Sequence, residues 1–161
     1  MIKTTPFEMV FIIRDIMAEV LYKYLSSDSK RGNSLFCIRW LEKKECDIFN
    51  EHLDLCGQAA ISATLWDEIY DEGTIYAGLF VNGKMVARAC VEKYSDDCWE
   101  VGDVRVAVPY RNQGYAHAIC AYVLNYIVLQ MKKPTMRTEE SNVIMQHVIE
   151  DLGFTSCGII S

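Results

Sequence analysis

The stretch Val104-Arg105-Val106-Ala107-Val108-Pro109-Tyr110-Arg111-Asn112-Gln113-Gly114-Tyr115-Ala116 holds the residues whose order best suits a defined chemistry. A β-prone run ends at Pro109, a short segment carries Arg111 and Gly114, and helix-forming residues follow. A helix start leaves backbone N–H groups without intrahelical partners and carries partial positive charge, so phosphates bind there. Gly114 lets the backbone approach a ligand closely, Ala116 avoids crowding it, and Arg111 adds a charge-assisted contact. The glycine pattern of dinucleotide-binding folds is absent, and so is the P-loop pattern. An ordinary loop with a turn glycine would read the same way, so the junction needs support from the elements around it.

Those elements are legible in part. Phe7, Val10, Phe11, Met17, Val20, Leu21 and Tyr24 recur at helical spacing behind Pro6 and predict an amino-terminal helix, followed by a polar linker over Ser26–Asn33. Leu35–Trp40 is of strand length. Leu41–Tyr70 reads as helix in two pieces broken near Cys56-Gly57. Asn82-Gly83 between Thr74–Phe80 and Lys84–Tyr94 signals a hairpin, and Trp99–Val108 continues the meander as a third strand. A long helix carries Ala116, Ile119, Cys120, Val123, Ile127 and Met131 on one stripe and stops at Lys132-Lys133-Pro134. Thr135–Thr138 follows as a strand. Ser141 or Asn142 caps a helix with Met145, Val148, Ile149 and Leu152 on one face, ended by Gly153, and Phe154–Ile160 is a last strand. This order predicts one mixed α/β domain over residues 1–161, with 1–33 as a helical extension and 35–160 as the core.

Composition narrows the function classes. The chain has 161 residues and a net charge of −6, which opposes a general nucleic-acid binder. Residues 42–72 hold nine carboxylates against Lys43 and Lys44, either a solvated face or a rim that attracts a cationic ligand. Cys37, Cys46, Cys56, Cys90, Cys98, Cys120 and Cys157 show no zinc-knuckle spacing, and reduced thiols in a cytoplasmic protein are the simple reading; no metal is expected. Glu8, Arg14, Asp15 and Glu19 interrupt the apolar amino-terminal stretch, so no membrane segment is expected.

Val106–Ala116 resembles the acetyl-CoA motif of the GNAT N-acyltransferases, an Arg/Gln-x-x-Gly-x-Gly/Ala sequence opening a helix behind a strand. Asn142 with the helix that closes in Leu152-Gly153-Phe154 is similar to a second signature of that family, and the likeness spans roughly Leu35–Ile160. It implies a GNAT-like mixed central sheet flanked by helices, here with an extra amino-terminal helix. It also implies acetyl-CoA as acyl donor, held by backbone groups of Val106 and Val108, by Arg111, and by Asn112, Gln113, Gly114, Tyr115 and Ala116, with Asn142 near the thioester. An amine, as a small molecule or on a peptide, would attack the thioester directly; the acidic 42–72 segment favours a cationic one, and a second copy of the chain, forming a homodimer, is a further candidate partner.

Two departures stand out. Pro109 to Gly114 is one residue shorter than the commonest spacing, and the family's frequent tyrosine acid is replaced by Ile149; His147 reads as a surface residue. Glu100 is the expected general base, because the resemblance places it at the start of the strand leading to the loop, where some members of that family keep a glutamate base. Strand alternation puts it on one face with Gly102, Val104 and Val106 among apolar neighbours, and Asp103 on the other. The alternatives are a CoA-binding regulatory or sensor domain with little catalysis, and a protein-interaction module without CoA affinity.

Overall fold

The structure is a computed structural model that describes residues 8–12 and 35–160. Its elements are β1 (Glu8–Ile12), β2 (Phe36–Trp40), α1 (Cys46–Leu55), α2 (Ala63–Asp71), β3 (Ile75–Val81), β4 (Lys84–Lys93), β5 (Cys98–Val106), α3 (Tyr115–Leu129), β6 (Lys133–Glu139), α4 (Val143–Asp151) and β7 (Thr155–Ile160). The strands form one sheet in the order β2-β3-β4-β5-β6-β1-β7. Only β5 and β6 run parallel among its neighbouring strands.

The hairpin forms as its sequence dictates. Asn82 (φ 49°) and Gly83 (φ 77°) both take the left-handed conformation that a two-residue turn requires, and Val81 pairs with Lys84. The helical region splits at Gly57 (φ 71°), and Ser62 caps α2 by accepting from the Leu65 amide. On α3, Ile119, Cys120, Val123, Leu124 and Ile127 are buried against a cluster that includes Val86, Val101 and Val106 from the sheet. Burying each isoleucine stabilises by about 1.5–3 kcal/mol. A second cluster joins Phe49 and Leu53 of α1, Trp66 of α2, and Tyr76, Met85 and Cys90 of the sheet. The β3–β5 part of the sheet is therefore covered on both faces.

Three expectations need correction. Glu8–Ile12 is a strand between β6 and β7, not the start of a helix. A continuous run such as Met9-Val10-Phe11-Ile12 suits either element by periodicity, and two strands with open edges give its backbone partners. The rest of the expected helix and the Ser26–Asn33 linker lie outside the described residues. The long helix ends at Leu129, before the lysines, and Met131 (φ 59°) is 92% exposed instead of on the stripe. Pro134 then sits inside β6, near its start, where one missing amide donor is tolerated.

Candidate functional site

The site is built by two strands that part. β5 and β6 pair from Cys98–Lys133 to Val101–Met136 and no further. Beyond that point β5 follows β4 as far as Val106, while β6 follows β1 to Glu139. The cause is a bulge: Arg105 faces Arg88 and Gly102 faces Cys90, so two residues of β5, Asp103 and Val104, oppose Ala89 alone. Asp103 takes φ 44°, a conformation that an aspartate tolerates better than most side chains. Ala107 N–H donates to Val86 O at 2.9 Å, so the backbone of alternate residues, Val104 and Val106, is directed to the side that β6 has left. The gap opens at Gly102.

The expected binding residues fall at the end of this gap. Val106 is the last residue of β5. Val108 lies beyond the strand, in a single helical turn over Val108–Tyr110, and its carbonyl accepts from the Arg111 amide at 3.3 Å. Val108 is therefore not a strand-edge group, and Val104 and Val106 are the β5 residues whose backbone faces the gap. Arg111, Asn112, Gln113 and Gly114 are exposed together. Asn112 (φ 63°) and Gly114 (φ 80°) turn the chain into α3, which opens at Tyr115. Tyr115 is buried against the Phe36 ring, and Ala116 packs on the core. Arg111 Nε donates to Val106 O at 3.0 Å, tying the loop to the strand end. Asn142 caps α4, accepting from the Met145 amide at 3.1 Å.

Glu100 is 4% exposed, as enclosure required, but its neighbours are not apolar. Arg137 grips both oxygens, Nε on Oε1 at 2.8 Å and a terminal nitrogen on Oε2 at 2.9 Å. Gly102 shares Glu100's face as alternation predicts, but the bulge exchanges the faces of the residues beyond it. Val101, Val104 and Val106 pack with α3, while Gly102 and Asp103 stand on Glu100's side. Asp103 is thus a neighbour of Glu100's face, not its opposite. Ile149 is fully buried in the core, so the position to which the resemblance assigns a tyrosine acid offers no acid here. His147 is exposed, as expected.

That face carries polar groups that no sequence pattern singled out. Arg88, 3% exposed, bonds Asp103 through Nε and a terminal nitrogen, both at 3.1 Å, and Gln58 Oε1 at 2.9 Å. Tyr76 Oη donates to the same aspartate at 2.7 Å. Burial raises the Tyr76 phenol above its ordinary range, so it stays a neutral donor. His52, 1% exposed, has Nδ1 3.2 Å from Met85 O. Burial first, then the Arg88 charge, lowers its imidazole to about 4 from 6.5. Because His52 is held neutral in the fold and binds a proton below 6.5 when unfolded, stability is lost as pH falls from about 6.5 to 4. The loss is about 3 kcal/mol. Urea unfolding across that range should show the drop, and His52→Gln should flatten it.

In the acidic 42–72 segment, Lys43 pairs with Asp71, Lys44 with Glu42 and Arg39 with Glu45. A groove of about 580 Å³ between Phe36, Arg39, Ile48, Glu51, Phe80 and Met85 shares no residue with the parted strands. All seven cysteines are free thiols. Among the described residues no three potential metal ligands cluster, and no helix is long and apolar enough to cross a membrane.

Several solved structures share this architecture. A protein from the GNAT family of Novosphingobium aromaticivorans superposes with a TM-score of 0.68 at 17% identity, over 96% of this chain and 61% of its own. The aminoglycoside N-acetyltransferase AAC(6')-Iy, solved with a bisubstrate analogue, CoA-S-monomethyl-acetylneamine, gives 0.68 at 17% identity, over 80% of this chain and 96% of its own. An aminoglycoside acetyltransferase from an uncultured soil metagenomic sample, solved with sisomicin, gives 0.62 at 9% identity, over 73% and 87%. The chain thus spans less than two thirds of the Novosphingobium chain. No curated protein matches the sequence. The family model described as the acetyltransferase (GNAT) family matches residues 36–154, the span that contains the parted strands, the Gly114 helix start and the Asn142 cap, and the chain belongs to that family.

Proposed function

We propose that the protein transfers an acetyl group from acetyl-CoA to an amine. One observation carries the reading: β5 outruns its pairing with β6 and passes, through one helical turn and a short exposed loop, into a glycine-started helix. The residues present fit the donor. A Cβ at Gly114 would meet nothing within 4 Å, so the helix start faces open space, and Arg111 and Gln113 lie exposed beside it. Val104 and Val106 would bond the pantetheine arm through their backbone. The amides of Gln113 to Ala116, with the Arg111 guanidinium, would hold the pyrophosphate, and Asn142 would lie toward the thioester end. The donor would supply the thioester carbon, whose C–S bond would break as the C–N bond to the amine forms, with CoA leaving as the thiolate; the chain would supply alignment, and backbone donors of β5 would polarise the carbonyl. AAC(6')-Iy and the soil enzyme, solved with ligands of aminoglycoside type, support an amine acceptor.

We propose Glu100 as the proton acceptor, a role that requires Arg137 to release at least one of its oxygens when the acceptor binds. The closed Glu100–Arg137 pair and the apolar Ile149 favour one second reading, a CoA-binding regulatory domain with little turnover. Thiol release from acetyl-CoA across a panel of primary amines separates the two: turnover supports transfer, and CoA binding with no turnover supports the regulatory reading. Arg111→Ala should weaken CoA by about 1–3 kcal/mol, measured by calorimetry. Unchanged affinity would move the pyrophosphate away from this loop.

A further inference from the structure

We propose that Glu92 is the carboxylate that takes the ammonium group of the acceptor, which makes cationic amines the substrate class. The inference rests on acyl transfer at the parted strands and adds a specificity-determining residue to that site. Glu92 and Glu100 face each other directly across β4 and β5, an arrangement that repels unless cations intervene. Arg137 neutralises Glu100. On the same face Arg88 neutralises Asp103. Glu92 is bonded instead by a neutral donor: the Tyr94 hydroxyl donates to its Oε2 at 2.6 Å, with the Cys90 thiol 3.9 Å from Oε1.

Position and space agree with charge. The Glu92 carboxylate lies over Gly102, where an added Cβ would come within 3.2 Å of Cδ and 3.4 Å of Oε1. Gly102 is the first residue of β5 beyond its last pair with β6, so the carboxylate stands at the mouth of the gap. Glu92 is half-buried, whereas Glu100 is enclosed. Tyr94 is 59% exposed and also accepts from Arg137, which lies 5.1 Å from its ring centre. The four side chains therefore form one chain, Glu92–Tyr94–Arg137–Glu100. An ammonium on Glu92 would compete with the Tyr94 hydroxyl, and through Tyr94 and Arg137 it is coupled to the carboxylate proposed to take the proton.

The test is steady-state acetyl transfer to a panel of aliphatic diamines and an aminoglycoside, with an arylamine that is neutral at pH 7 as control. In parallel, 1,4-diaminobutane is titrated into the CoA-loaded protein and followed by amide NMR. The expected result is that Glu92→Gln raises KM for the cationic amines at least 10-fold, flattens the salt dependence of kcat/KM, leaves KM for acetyl-CoA unchanged, and raises KM for the arylamine far less than for the cationic amines. Glu92→Asp should recover part of the loss, which a merely structural role would not predict. Diamine shifts should centre on Glu92, Tyr94 and Gly102. Equal KM values in wild type and Glu92→Gln would overturn the assignment, as would diamine shifts centred elsewhere or none. If CoA itself does not bind, the acyl-transfer reading falls, and the diamine titration of the unloaded protein alone decides for or against Glu92.

Discussion

Exchanging Glu100 for glutamine is expected to lower kcat on the order of 10²-fold while CoA affinity stays as in the wild type. An amine that arrives as an ammonium has no lone pair to offer the thioester, so its proton must leave first. Glutamine keeps the length of the side chain and can still accept one bond from Arg137, but it cannot take a proton. The Arg137 pair supplies the control. Arg137→Gln opens the pair and leaves the carboxylate in place, so it should retain far more turnover than Glu100→Gln. The pH profile of kcat is measured for both variants and the wild type. Near wild-type turnover with an unaltered profile in Glu100→Gln would mean that the proton leaves by another route.

Removing Asp103 should cost about 3 kcal/mol of stability, near the lower end for a broken buried ion pair because the aspartate itself is partly exposed. Asp103→Ala takes two of the bonds that hold the Arg88 guanidinium, which is 3% exposed, and the acceptor of the Tyr76 hydroxyl. Gln58 would remain as one neutral partner beside the Phe49 ring. Alanine also sits less comfortably at φ 44° than aspartate does. Asp103→Asn keeps an acceptor and the tolerance of that backbone, so it should recover more than half of the loss. Urea unfolding of the three proteins measures this. A loss below about 1 kcal/mol for alanine would make the cluster incidental.

The order of elements from Leu35 onward was legible because each carries local signals: Asn82-Gly83 for the hairpin, the 3.6-residue stripe from Ala116 to Ile127, the Asn142 cap and the Gly153 stop. The position of the loop at Arg111–Gly114 was legible for the same reason, a strand, a glycine and a helix in sequence. What escaped was non-local. Alternation assigns faces only while a strand stays regular, and the bulge at Asp103 and Val104 was signalled by Gly102 alone, an isolated glycine inside a strand that the face assignment ignored. It moved Val104 and Val106 away from Glu100's face. The partnership of Glu100 with Arg137 joins residues from two parallel strands that the sequence places far apart, and Arg88 lay unmarked inside a strand. The amino-terminal run was ambiguous by itself: its β-strand identity comes from the two strands that flank it.

The central claim is that the gap between β5 and β6 and the start of α3 form an acyl-CoA site. Calorimetric titration of CoA into the wild type and into Gly114→Val tests it most directly. Valine at φ 80° is strained and places a branched side chain in the open space before the helix amides. The account predicts saturable one-to-one binding by the wild type and a loss of at least 10-fold in the variant, with the thermal transition showing that the variant still folds. Equal affinities in the two proteins, or no binding by the wild type, would contradict it.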